Sequence, residues 1–408
     1  MPADTTASQT AAIQVARSAY GRILAYLAYS FRDIAAAEDA LAEAFASALA
    51  TWPERGVPDA PEAWLMTAAK RNLLQMKRHA AVENDPAATL LLVDEDTPAA
   101  DLPAIPDTRL KLLFACAHPA IEPAVRTALM LQTVLGIESD KIAAAFVVSP
   151  SAMAQRLVRA KTKIRVAGIR FEEPELRDLP ERIHNVLEAI YAAYGLAWDD
   201  HVHSDFADEA IYLADLVAAL LPQQAEPAGL LALMLLCEAR KTARHAGDGT
   251  FIPLHQQDTA LWNKARIDQA NHILWHAASL REPGPFQLEA AIQSAHCQRL
   301  YTGVVPWHSI AQLYAQLLHI APTLGAQVGH AVALGEAQGA TDALQALAAL
   351  GTQPGIDHYA PYWVALGYWQ AAAQQTPQAI ASYQRALELH NGAAERAYLL
   401  GQLQALQK

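Results

Sequence analysis

The apolar positions of this chain recur at steps of three and four, the period of an α-helix with one buried face. The clearest stripe is Met153, Leu157, Ala160 and Ile164, and it predicts a helix over Pro150–Arg165. Ser149-Pro150 opens it, because the hydroxyl can cap free backbone N–H groups and proline suits the first helical position. Gln155, Arg156, Arg159, Thr162 and Lys163 fall together on another side. A shorter helix, Ser139–Phe146, precedes it across a tight turn at Val147-Val148. Helix, short turn and second helix with a polar, basic outer face is the layout of a helix-turn-helix that reads the major groove.

The same period runs through the rest. Ala11–Leu49 predicts two helices, the first with Ile13, Tyr20, Leu24, Leu27 and Phe31 inward. The second starts near Asp33, with Ala37, Leu41, Ala44, Phe45 and Ala48 inward and Glu38, Asp39 and Glu43 in solvent. Three prolines and a glycine within Trp52–Pro61 predict a loop. A basic helix over Glu62–His79 follows, with Trp64 near its start and Lys70, Arg71, Lys77 and Arg78 further on. Cations can track phosphates while a ring stacks on an unpaired base; a surface helix with a core tryptophan has the same pattern. The proline-rich, acidic segment Ala80–Asp107 reads as a linker. Arg109–Ala117 and Pro123–Leu135 are helices, the second closed by Gly136.

Beyond Pro180, Ile183, Leu187, Ile190, Tyr191 and Tyr194 share a helix face, and Asp208–Leu221 and Glu226–Arg244 read as a helical pair. Gly247-Asp248-Gly249 opens a loop, and Gln257-Asp258 starts a helix toward Trp262. Ala333-Leu334-Gly335, Ala365-Leu366-Gly367 and Leu399-Leu400-Gly401 recur at 32 and 34 residues. With Trp363, Ala379, Tyr383 and Ala386 between the last two, this fits tetratricopeptide-like (TPR-like) helical hairpins, which stack because none buries its apolar face alone.

Charge sharpens this picture. The 408 residues carry a net charge of −12, yet Lys141–Phe171 holds seven Lys or Arg and no acid. Residues 181–408 hold 20 acidic and 11 basic side chains. Local fields decide nucleic-acid binding at a Debye length of ~8–10 Å, so the overall acidity does not exclude it. No apolar run approaches the ~20 residues that span a bilayer, and the start shows no signal peptide, so a cytoplasmic protein is expected. Three widely spaced cysteines predict reduced thiols. Phosphate loops, dinucleotide fingerprints, nucleophile elbows and H-E-x-x-H are missing from the sequence, so no enzyme activity and no cofactor are expected. The nearest thing to a metal constellation, Asp199-Asp200-His201-Val202-His203-Ser204-Asp205, reads as a polar loop rather than a metal site.

The order "AEDALAEAF", "WPERGVPDAPEAWLMTAAKRNLLQMKR", an acidic linker, "RLKLLFACAHPAIEPAVRTALMLQTVLGI" and "KIAAAFVVSPSAMAQRLVRAKTKIR" resembles the extracytoplasmic-function (ECF) sigma factors of bacterial RNA polymerase. Within them it resembles the group with a long C-terminal TPR-like extension, and "LLALMLLCEAR" and "GPFQLEAAI" continue the likeness. The resemblance implies an all-α fold: sigma region 2 over 1–82, an acidic linker over 83–107, sigma region 4 over 108–172, a helical extension over 173–290 and TPR-like repeats over 291–408. It implies that Glu38, Asp39, Glu43 and Phe45 dock on the polymerase β′ clamp. Arg55 and Trp64 would hold a flipped base of the −10 element, and Lys70, Arg71, Asn72, Lys77 and Arg78 its backbone. Ser151, Ala152, Gln155, Arg156 and Arg159 would reach bases of the −35 element, with Lys141, Lys163 and Arg165 on phosphates and Ser149 at the same DNA-binding face. One departure stands out: the basic helix reads Arg71-Asn72-Leu73-Leu74-Gln75-Met76-Lys77-Arg78, without the acid usual in the family.

The partners implied are the core polymerase (β′ clamp and β flap), promoter DNA, and a regulatory protein or intramolecular contact through the TPR-like part. Two further readings stand beside this one: a stand-alone helix-turn-helix regulator, and a TPR scaffold whose sigma-like half has lost DNA function.

Overall fold

The computed structural model describes residues 5–31, 33–84, 107–146, 148–166, 175–198, 204–390 and 392–407. Most of the expected linker, residues 199–203 of the Asp199–Asp205 cluster, and the side chains of Ser204, Asp205, Lys77 and Arg165 lie outside the described residues. The fold is all-α: among the described residues the regular structure is helical, apart from one bridge between His245 and Phe251. The chain divides into two compact units, Met1–Leu216 and Val217–Lys408.

In the first unit, α1 (Thr5–Phe31), α2 (Ile34–Arg55) and α3 (Pro61–Asn84) pack on one another. Asp33 starts α2 as expected, its Oδ1 accepting from the Ala36 amide at 3.0 Å. The loop is shorter than expected, because α2 runs through Pro53 to Arg55. Proline costs the helix one hydrogen bond there. Trp52, 2% exposed, anchors the turn in the core, and the Gly56 amide closes on the Trp52 carbonyl at 2.9 Å.

Next come α4 (Thr108–Cys116), α5 (Pro123–Thr133), α6 (Ser139–Ala145), α7 (Pro150–Val166), α8 (Leu179–Trp198) and α9 (Ser204–Leu220). Asp107 caps α4 through the Arg109 and Leu110 amides. Helix α4 packs against α1, α5 and α8 and is buried all round, Arg109 and Lys111 included. Arg109 pairs with Asp107 and Glu209 and lies 5.6 Å from the Tyr212 ring; Lys111 lies 4.9 Å from the Tyr29 ring. Helix α8 is the start of the expected extension, yet it packs on α4, α5 and α6. Its Leu179, Val186, Leu187 and Ile190 are buried, and Asn185 accepts from Arg126 at 3.1 Å.

In the second unit α10 (Ala225–Glu238) lies between α11 (Lys264–Ser279) and α12 (Pro285–Cys297). Gly229 permits this, since a Cβ there would stand 2.6 Å from the Gln287 nitrogen. Glu226 accepts from the Phe286 and Gln287 amides at 3.0 and 2.9 Å and so fixes the start of α12. The helix expected to reach Arg244 ends at Glu238. The chain turns there into a long connection, pinned by Arg299, which donates to the His255 and Gln257 carbonyls. Arg240 and Arg299 also lie 6.0 and 5.1 Å from the buried Trp262 ring. Asp248 accepts from the Thr250 amide at 2.9 Å, the expected turn. Asp258 caps only a short 3-10 turn, Thr259–Leu261, and α11 has its own cap in Asn263.

Then α13 (Arg299–Thr302), α14 (Trp307–Ile320), α15 (Leu324–Gln338), α16 (Ala340–Leu350), α17 (Ala360–Ala372), α18 (Thr376–Leu389) and α19 (Ala393–Leu406) follow. From α14 onward each helix packs on the next, the superhelical stacking the repeat predicts. A Cβ on Gly335 would stand 2.4 Å from the Trp369 ring and 2.6 Å from the Ala343 methyl. Gly367 faces the buried Tyr383 ring in the same way, whereas Gly401 in the last helix faces open space.

Gly335→Ala is therefore expected to cost at least ~2 kcal/mol through overpacking. Gly401→Ala is expected to be neutral or to gain up to ~1 kcal/mol from helix propensity. Chemical unfolding of the full chain measures both. His296 supplies a pH signature. Its ring meets Trp307 edge-on at 5.1 Å, and burial, with Arg240 and Arg299 adding, pushes its pKa down to about 3. The unfolded chain then binds the extra proton between pH ~6.5 and ~3, so stability falls on acidification through that window. The loss at pH 5 relative to pH 7 is expected to be about 2 kcal/mol, and His296→Gln is expected to flatten it.

Candidate nucleic-acid interface

Helix α7 carries one basic face. Pro150 opens it, and the Ser149 hydroxyl accepts from the Ala152 amide at 3.3 Å. The expected stripe is inside: Met153, Leu157, Ala160 and Ile164 are all buried. Ser151, Gln155, Arg156, Arg159 and Lys163 are exposed together, Ala152 is half-buried, and Lys141 on α6 is half-buried. The Arg159 Nε donates to the Gln155 carbonyl at 3.2 Å, which steers that guanidinium along the helix. Arg156, Arg159 and Lys163 share a recess of 340 Å³ with Ile121, Glu122 and Val125 at the start of α5. One wall is thus triply basic, with a single carboxylate opposite.

A second basic face lies on α3. Lys70, Arg71 and Arg78 are exposed and, with Thr67, Leu74 and Gln75, line a recess of 420 Å³. Arg55 is exposed where α2 ends, beside Gly56, whose φ of +84° suits glycine. Trp64 is half-buried, edge-on to Trp52 with ring centroids 5.6 Å apart, so much of its ring is core. Asn72 points inward: its Nδ2 donates to the Ala40 carbonyl at 3.2 Å, tying α3 to α2.

The acidic group on α2 divides. Asp39 and Glu43 are exposed, and Phe45 stacks on Tyr20 with centroids 6.4 Å apart. Glu38, expected in solvent, is turned inward. Both its oxygens take the Lys161 ammonium, at 2.7 and 2.6 Å, and Lys161 also donates to Gln132 Oε1 at 2.7 Å. The two side chains are 17% and 16% exposed. Burial raises the Glu38 pKa, and Lys161 offsets only part of that. Sequence reading had grouped neither Lys161 nor Gln132 with a site. The available signal is that Lys161 follows Leu157 by four and precedes Ile164 by three, which sets it at the edge of the buried stripe.

Among the described residues no cluster of three or more His, Cys, Asp or Glu could hold a metal. No helix there is long and apolar enough to cross a membrane.

The fold and these faces define an all-α protein with a basic helix-turn-helix in one unit and a helical superhelix in the other. Residues 182–278 match a family of unknown function, DUF6596. Over 414 aligned residues the chain is 33% identical to an uncharacterized protein of Rhizobium meliloti (strain 1021), covering 99% of this chain and 96% of the relative. The chain belongs to the same family as that protein.

Asn72→Ala is expected to lower the unfolding free energy by about 1 kcal/mol, the worth of a part-buried hydrogen bond. An unchanged thermal midpoint for the variant would show that the amide is not structural and return it to the nucleic-acid face.

Proposed function

We propose that this chain is a sigma-type transcription initiation subunit of the ECF kind, which delivers core RNA polymerase to promoters in the cytoplasm. The observation that carries the reading is the α6–α7 helix-turn-helix, whose exposed Gln155, Arg156, Arg159 and Lys163 stand on a rigid apolar stripe in an otherwise acidic chain. A stripe fixed at both ends by a cap and a core holds these side chains in register for a groove. The second basic face on α3 supplies a separate contact for the −10 element, and Asp39 and Glu43 remain outward for the polymerase. RNA synthesis belongs to the core enzyme, so this chain needs no catalytic residue.

The C-terminal extension is read as a built-in regulator. The packing of α8 on α4, α5 and α6 supports it, since the extension's first helix braces the helix-turn-helix unit. A cut near residue 175 would strip Leu179, Val186, Leu187 and Ile190 from that core, so such a truncation would report folding rather than regulation.

Reconstituted transcription with core polymerase on genomic fragments, using the full chain, tests the reading. Start sites that share −10 and −35 elements are expected. A chain that binds DNA but never polymerase would favour the stand-alone regulator. A chain that binds polymerase and no promoter would favour the scaffold. Arg159→Ala is expected to change preference at one −35 position by ~5–150-fold, the worth of a base contact. Lys163→Ala is expected to weaken all sequences alike and to lower the salt slope by about one. Equal losses on matched and scrambled −35 elements for both variants would reject that division.

A further inference from the structure

We propose that α15, α17 and α19 present one peptide-binding groove, that the connection Arg244–Gln257 lies in it as a built-in occupant, and that an extended partner peptide takes its place. That peptide carries an aromatic side chain and, four residues on, a lysine or arginine. The groove belongs to the second unit, and nothing in it depends on the initiation-subunit reading.

The repeat builds the groove. The Ala-Leu-Gly and Leu-Leu-Gly motifs set α15, α17 and α19 in one register. Directly after the motif glycine stand Glu336, Tyr368 and Gln402, and three positions before it stand Val332, Val364 and Tyr398. Residues four apart share a helix face, so these side chains form one strip along successive repeats. All of them are half-buried. The connection supplies part of their cover. The Phe251 ring meets the Tyr398 ring edge-on with centroids 6.1 Å apart, and the Phe251 amide donates to the Ala394 carbonyl at 3.3 Å. The His255 ring lies 6.1 Å from the Tyr368 ring, whose hydroxyl donates to Glu336 at 3.3 Å. Two anchors four residues apart thus reach α19, α17 and α15.

The occupant is made to leave. The Ala246 amide donates to the Thr250 carbonyl at 2.9 Å, the Gly249 amide to the Ala246 carbonyl at 2.9 Å and the Ile252 amide to the Arg244 carbonyl at 2.7 Å. The tip therefore satisfies much of its own backbone, and lifting it breaks the Phe251 bond to Ala394 while leaving those three in place. A Cβ on Gly247 or Gly249 would meet open space. Arg299, donating to the His255 and Gln257 carbonyls, holds the far end as a hinge.

The occupant also fits its second anchor point incompletely. A carboxylate beside an aromatic ring attracts a cation by two routes, charge and the π face. Burial lowers the His255 pKa, Glu336 opposes that and Arg299 adds to it, so a neutral imidazole fills the place at neutral pH. A lysine or arginine gains the attraction that the imidazole forgoes. Residues 181–408, with 20 acidic against 11 basic side chains, favour such a peptide at longer range.

The test uses the full chain and a fluorescein-labelled peptide that copies residues 246–257 with the change His255→Lys. Fluorescence anisotropy is expected to show saturable binding. Phe251→Ala in the protein is expected to tighten it about tenfold, because the weakened occupant competes less. Glu336→Gln is expected to weaken the lysine peptide about fivefold and to change the unaltered histidine peptide by less than about twofold. On peptide binding, hydrogen exchange of the protein segment spanning Phe251 is expected to speed up about tenfold or more. The lysine keeps fragments of the added peptide distinct in mass. Absence of saturable binding to a folded Phe251→Ala chain would overturn the groove. Should that variant lose its cooperative thermal transition, Phe251→Leu, which keeps apolar volume and removes the ring, takes its place with the same reading. Equal losses of both peptides on Glu336→Gln, or no loss of either, would overturn the cation subsite. Binding without faster exchange at Phe251 would overturn the displacement and make the connection a fixed part of the array.

Discussion

Helix α4 has no face on water, and the first unit is built around that fact. Nine residues long, it is enclosed by α1, α5 and α8, and even Arg109 and Lys111 are less than a tenth exposed. Buried cations are costly unless matched. Arg109 is matched by Asp107, Glu209 and the Tyr212 ring, and Lys111 lies against Tyr29. The helix thereby ties together segments that the sequence presents as three separate blocks: the N-terminal bundle, the helix-turn-helix and the start of the extension. Stability of any one block depends on the others.

Charge is used in two ways on α7. Arg156, Arg159 and Lys163 stay outward, where a basic face in an acidic chain has a local field of its own. Lys161 turns inward to a carboxylate 123 residues away. The outward set suits phosphate and base edges, and the inward one joins two halves of the unit. A net charge near the helix conceals this division, because the two uses carry the same sign.

The second unit relies on small residues instead. Gly229 lets α10 and α12 meet backbone to backbone, Gly335 makes room for the Trp369 ring of the next hairpin, and Gly367 for the Tyr383 ring of the helix it pairs with. In the third copy of the motif Leu399 is buried beside Tyr383 and Ala386, whereas a Cβ on Gly401 would meet nothing.

What the sequence determined was local. Asp33 and Ser149-Pro150 mark helix starts because a cap needs only its next three residues. The Met153, Leu157, Ala160 and Ile164 stripe and the spaced Ala-Leu-Gly motifs named buried faces because the helical period fixes which side chains point together. The tertiary structure decided what those faces meet. It carried α2 through Pro53 because Trp52 is anchored in the core. It turned Asn72 to Ala40 and Glu38 to Lys161, and it placed α8 with α4 and α5 rather than with the superhelix. Pairing between residues tens or hundreds of positions apart depends on how finished helices pack, and no local spacing encodes it.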